Sequence, residues 1–238
     1  MKRSTGSGDS PVSGGTRAAR RPDAAAAPYT LYGSRGSGSA AVEMALERAG
    51  LTYRVVRAST WEADSARDEL AAVNPLGQIP TLRGPDGSVM TESAAILIHL
   101  GLSFPESRLL PADPSQRAQV LRGLVFIAAN AYPAVGISDY PERWTLATDA
   151  AAHEAVRGGA RRQLHRHWEI FADSFAARPY LGGRTPGALD FLAVVVSKWS
   201  GARAHLRRAR PGFTETLARI ERHAAVAPVV ARHWPPTA

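Results

Sequence analysis

Asn74-Pro75-Leu76-Gly77-Gln78-Ile79-Pro80-Thr81-Leu82 is the stretch whose reading decides the fold. Asn-Pro closes the helical pattern of 64–73, because the residue before a proline is pushed out of the helical region. Residues 78–82 then read as a strand with a proline inside it. Proline gives a ladder no N–H and sits at an edge or at a strand's start. A cis Ile79–Pro80 bond, only about 0.5–1 kcal/mol above trans, would turn the flanking backbone groups toward a peptide ligand. A proline at a strand end is the competing reading.

Upstream, 29–32 reads as a strand and Gly33-Ser34-Arg35-Gly36-Ser37-Gly38 as a loop. A helix follows with Val42, Ala45, Leu46 and Ala49 on one face and Gly50 as its stop, then a strand at 52–57. Downstream, Pro85-Asp86-Gly87 turns the chain into a strand at 88–90, and a helix spans 92–102. This β-α-β-α-β-β-α order implies a mixed sheet covered by helices. Pro105, Pro111 and Pro114 punctuate the next segment, and everything beyond it is helical: 116–131, 148–177, 188–199, 214–223 and 226–233. The expected organisation is a tail at 1–28, an α/β domain at 29–104, a linker at 105–112 and an all-α domain at 113–238.

With 45% hydrophobic and 21% charged residues over 238, the chain has material for a real core. It has no cysteine, which excludes disulfides, thiolate metal sites and a protein thiol nucleophile. No run approaches 18 consecutive apolar residues, so no membrane span is expected. The net charge of +8 divides as +3 over 1–28, −2 over 29–112 and +7 over 113–238. Arginine supplies 27 of the 29 basic residues, which we read as the codon bias of a GC-rich genome; nucleic acid is not the expected partner. Residues 1–28 hold one interior apolar residue besides alanines, Val12, and are expected to be a disordered, dispensable tail. Asp9 and Asp23 argue against a transit peptide.

Three features carry chemistry. Pro80 is the first. Thr91-Glu92-Ser93 before an apolar helix is either a cap or a site for an amino acid's two charges, with Ser93 and backbone amides on the carboxylate and Glu92 on the ammonium. The loop 34–39 puts three serines at another helix N-terminus, suited to phosphate or to a thiolate. It lacks the Gly-Lys-Ser/Thr ending of a nucleotide loop and the full dinucleotide glycine spacing. His99, His165, His167 and His205 show no metal spacing. Tyr132, Tyr140 and Trp144 are read as either pocket lining or core, Tyr32 as core, and the runs 157–166 and 203–210 as solvated arginine faces.

Taken together, 74–82 followed by Met90-Thr-Glu-Ser-Ala-Ala-Ile96 resembles the glutathione S-transferase family, from about Tyr29 to Trp234. The resemblance implies a thioredoxin-like first half, a helical second half, a cytoplasmic homodimer, and glutathione as co-substrate without cofactor or metal. It places the cysteinyl backbone on Ile79 beside Pro80, and the γ-glutamyl end on Glu92 and Ser93 with Gln78 nearby. Pro179-Tyr180-Leu181-Gly182-Gly183 and Ala188-Leu189-Asp190-Phe191 resemble the entry to the family's buried helix, with Asp190 a structural cap and Gly187 where a hydroxyl residue is usual. The family's tyrosine position falls near Gly33 and its cysteine position near Gly38. Ser37 therefore best matches the serine-type catalytic loop, with Ser39 second and Ser34 third. The implied reaction is attack of the glutathione thiolate on an electrophile. The alternatives are a glutathione-dependent isomerase and a non-catalytic binding or assembly module.

Overall fold

The computed structural model describes residues 27–59 and 61–235. The expected tail, except its last two residues, lies outside them. Strand β1 (Tyr29–Gly33) is central: it pairs in parallel with β2 (Tyr53–Arg57) and antiparallel with β3 (Thr81–Arg83), which pairs antiparallel with β4 (Val89–Met90). The order is β2-β1-β3-β4. Side chains alternate across the pleat. Leu31 enters the main core with α1 (Ser39–Arg48) and α3 (Ser93–Ser103), while Tyr32 joins Leu70 of α2 (Arg67–Val73) on the other face. Tyr32 is core, as expected, and its hydroxyl donates to Glu69 at 2.8 Å.

β3 starts at Thr81, not at residue 78. Pro80 has no N–H for a ladder, and the Gln78 carbonyl is taken by the side chains of Asn74 (3.0 Å) and Thr81 (2.9 Å). The segment bearing the three candidate residues is thereby kept out of the sheet.

The helical half comprises α4 (Pro114–Phe126), α5 (Tyr132–Asp139), α6 (Ala150–Ser174), α7 (Ala188–Val196), α8 (Ala202–Ala209), α9 (Pro211–Glu221) and α10 (Ala227–His233). Asp113 and Asp149 cap α4 and α6, each accepting an N–H at 2.8 Å. The sequence places a helix end at 131, ahead of Pro133. Instead a π turn (Ile127–Ala131) carries α4 into α5, accommodating a proline that cannot donate to the preceding turn. The joined helix Pro114–Asp139 is long and apolar enough to cross a membrane, which the run-length reading missed; 39% of its most apolar window is buried in the protein. The 203–210 arginines are not simply a solvated face: Arg203 of α8 donates to Glu221 of α9 at 3.1 Å. α7 is buried along its whole length and belongs to the same apolar cluster as α1 and α3, so one core joins the two halves.

Candidate functional site

One cleft of about 1060 Å³ lies between the halves. From the α/β side it is lined by Gly36, Ser37 and Gly38, by Gln78, Ile79 and Pro80, and by Thr91, Glu92 and Ser93. The three separated motifs converge on it, and from the helical side Tyr132, Tyr140 and Trp144 face them.

The Ile79–Pro80 peptide bond is cis. Asn74 organises the approach to it: its side-chain amide holds Gln78 O and Thr81 Oγ1, each at 3.0 Å, and its Oδ1 accepts from Leu76 N at 3.1 Å. The sequence reading treated Asn74 only as a helix stop. Its burial next to a carbonyl and a hydroxyl makes it a positioning residue.

Glu92 has φ +63°, a region that a non-glycine residue rarely occupies. It stands at the N-cap of α3, yet no side chain caps that helix. The capping reading of Thr91-Glu92-Ser93 therefore fails. Ser93 is buried at the positive end of α3, and the exposed Glu92 lines the cleft beside it.

The loop serines are hydrogen-bonded to one another and to their own turn. Ser37 Oγ donates to Ser34 O at 2.7 Å, accepts from Ser39 N at 3.2 Å, and lies 2.9 Å from Ser39 Oγ. A hydroxyl has one proton, so Ser37 is engaged in shaping its own turn although it borders the cleft. Ser39 is wholly buried and Ser34 nearly so, and neither lines the cleft. The loop is also tied from outside: Gly36 N donates to His233 Nδ1 at 3.2 Å, Trp199 Nε1 donates to Gly36 O at 3.1 Å, and Arg35 Nε donates to Arg232 O at 3.1 Å.

A hydroxyl from the helical half reaches this place instead. A Cβ on residue 38 would fall 2.1 Å from Tyr132 Oη and 3.3 Å from Pro80 Cδ, so a side chain there requires the Tyr132 hydroxyl to move. Tyr132 Oη thus occupies the space a side chain at 38 would fill, at the N-terminus of α1. Burial pushes its phenol well above the ordinary range; Ser93, as a hydrogen-bond partner, acts the other way, and the Glu92 charge adds to the rise. Tyr132 remains a protonated donor. The sequence signal was its position beside Pro133, where a break in helical geometry turns a side chain inward.

Asp190, the expected structural cap, is fully buried and accepts N–H bonds from Leu181 (2.8 Å), Gly182 (2.8 Å) and Gly187 (3.0 Å). Gly187 lacks a side chain because a Cβ there would meet Leu109 O at 2.7 Å. Of the histidines, His165 stacks on His205, which contacts Glu169 at 2.7 Å, and no cluster suited to a metal occurs among the described residues.

Residues 39–102 match the family model described as the glutathione S-transferase N-terminal domain. The uncharacterized GST-like protein YncG of Escherichia coli K12 is 37% identical over 170 residues, covering 71% of this chain and 80% of that protein. A probable maleylacetoacetate isomerase of Caenorhabditis elegans is 32% identical over 105 residues, covering 44% of this chain and 47% of that protein. Among solved structures, a glutathione transferase homolog from Sulfitobacter with bound glutathione superposes with a TM-score of 0.75 at 26% identity, covering 85% of this chain and 96% of that one. On its sequence, its sheet and its helical half, this chain belongs to the glutathione S-transferase family.

Proposed function

We propose that the protein is a glutathione transferase that binds glutathione across the α/β side of the cleft and uses its thiolate as nucleophile. The observation that carries this reading is the convergence of Ile79, Glu92, Ser93 and the α1 N-terminus on one cleft. Ile79 offers its backbone to the cysteinyl residue, with Gln78 nearby. Ser93 and the α3 amides hold the γ-glutamyl carboxylate, and Glu92 its ammonium.

A free thiol has a pKa of about 8.5, so lowering it by about two units takes roughly 2.7 kcal/mol of preference for the anion. The α1 N-terminus supplies part of this. The Gly38 amide, which donates to no other group among the described residues, and the Tyr132 hydroxyl supply the rest. In this reading Ser37, and Ser39 behind it, hold the loop in shape. The thiol proton passes to solvent. The sulfur lone pair forms the C–S bond, and the electron pair of the broken bond departs with the leaving group. No metal or cofactor takes part, and a cytoplasmic homodimer belongs to the same reading.

Isomerisation on the same thiol site is the second reading, favoured by the isomerase among the relatives. Titration calorimetry with glutathione tests both, and heat of binding abolished by Glu92→Ala is the expected result. Absence of binding would leave the non-catalytic module. Conjugation of 1-chloro-2,4-dinitrobenzene would favour the transferase over the isomerase.

A further inference from the structure

Around the C-terminal end of α5 the cleft is lined by guanidinium groups and rings. Arg143, Arg157 and Arg161 all line it, with Tyr140 and Trp144. The three arginines differ in how far they are engaged. Arg157 is committed, donating to Ser138 O at 3.1 Å and to Glu154 at 2.8 Å. Arg161 reaches the same carboxylate only at 3.9 Å, and that carboxylate is itself mostly exposed. The Arg143 guanidinium lies 4.1 Å over the Tyr140 ring, and its side chain has no hydrogen bond or ion pair among the described residues. Each guanidinium carries five N–H donors in a fork that matches a carboxylate. Among the described residues, Asp139 is the one acid that lines the cleft near the three cations, Glu92 lying by Ser93.

On the same cleft, Trp144, one residue past Arg143, is 59% exposed. An exposed indole on a concave surface offers flat apolar area to a planar ligand. The two ends of the cleft are joined by α5, which contributes Tyr132, Val135, Gly136 and Asp139 to the lining. At 1.5 Å per residue, Tyr132 and Asp139 are about 10 Å apart along that helix, the span of one substituted aromatic ring with a charged group at its far edge.

We infer that the electrophile is a flat aromatic or conjugated molecule bearing an anionic group, which Arg143 and Arg161 hold while the rings pack its body. This rests on the transferase reading, which puts the reacting sulfur at the Tyr132 end. With an aryl chloride as probe, the glutathione thiolate forms a C–S bond to the ring carbon, the C–Cl bond breaks, and chloride leaves with its electron pair. The anionic group takes no part in the bond changes and contributes only orientation.

The test uses the full chain and a matched pair of probes, 4-chloro-3-nitrobenzoate and 4-chloro-3-nitrobenzamide. The ratio of their kcat/KM values cancels effects common to both. Arg143→Gln and Arg161→Gln are each expected to lower the benzoate-to-benzamide ratio about tenfold, with Arg143→Lys restoring part of it. A ratio within twofold of wild type in both glutamine variants would overturn the inference. A second measurement needs no variant: the wild type is titrated with the preformed carboxylate and carboxamide glutathione conjugates. Preference for the carboxylate by tenfold or more, shrinking as salt is raised, is expected. Equal affinity alongside normal glutathione binding would overturn the inference alone. Failure to bind glutathione or either conjugate would overturn the transferase reading, and this inference with it.

Discussion

His233 Nε2 lies 2.7 Å from Glu43 Oε1, joining the last helix to the first with both side chains almost fully buried. The Gly36 N–H can only donate, so His233 Nδ1 accepts from it and the ring proton sits on Nε2, facing Glu43. One imidazole therefore fixes the α1 carboxylate and the loop that forms the α1 end of the cleft. His233→Ala is expected to lower stability by about 2–3 kcal/mol, because it leaves a buried carboxylate and a loop N–H short of partners. Chemical denaturation measures this, and amide exchange at Gly36 is expected to accelerate in the same variant.

Glu92→Gly separates binding from stability. The positive φ at Glu92 is a conformation that glycine adopts without strain, and such strain costs on the order of 1–3 kcal/mol. The variant is expected to melt at or above the wild-type temperature while glutathione affinity falls at least tenfold. A loss of both together would show that the carboxylate serves the fold.

Tyr132→Phe and Ser37→Ala are expected to fail in different ways. In the proposed transferase reading, Tyr132→Phe is expected to raise the bound thiol's pKa and lower kcat roughly 10–100-fold, with little change in melting temperature. Removing the Ser37 hydroxyl breaks its bond to Ser34 O and is expected to cost about 1 kcal/mol of stability, with a smaller effect on the pH–rate profile. Ser39→Ala is expected to follow Ser37→Ala. The acidic limb of the pH–rate profile decides which hydroxyl serves the sulfur.

Asp190 makes stability depend on acidity in a direction unusual for a carboxylate. Burial pushes its pKa from 3.8 up to about 6, against the pull of the N–H groups of Gly187, Gly182 and Leu181. The folded state therefore binds this proton more tightly than the unfolded state does. The stabilising contribution is full below about pH 4 and is lost as pH rises through about 6. Melting temperatures of wild type and Asp190→Asn across that range are expected to show the wild type losing ground to the variant as pH increases.

The sequence by itself determined the βαβαββα order and the succession of helices after residue 113, and it singled out the segments 78–80 and 92–93, which the fold brings to one cleft. These are local properties: hydrophobic period, proline placement and helix-end chemistry are written in neighbouring residues. It misplaced the start of β3 and ended a helix at 131, because a side chain seven residues from Thr81 and a π turn overrode local preference. Tertiary structure alone decided which hydroxyl faces the α1 N-terminus. Ser37, between two glycines, looks free in sequence, but its proton closes its own turn, while Tyr132, 94 positions past Gly38, reaches the vacant Cβ direction there. Likewise only the fold separates Arg143 and Arg161, turned into a cleft, from the many arginines that composition makes unremarkable, since engagement with an acid or a carbonyl depends on partners distant in the chain.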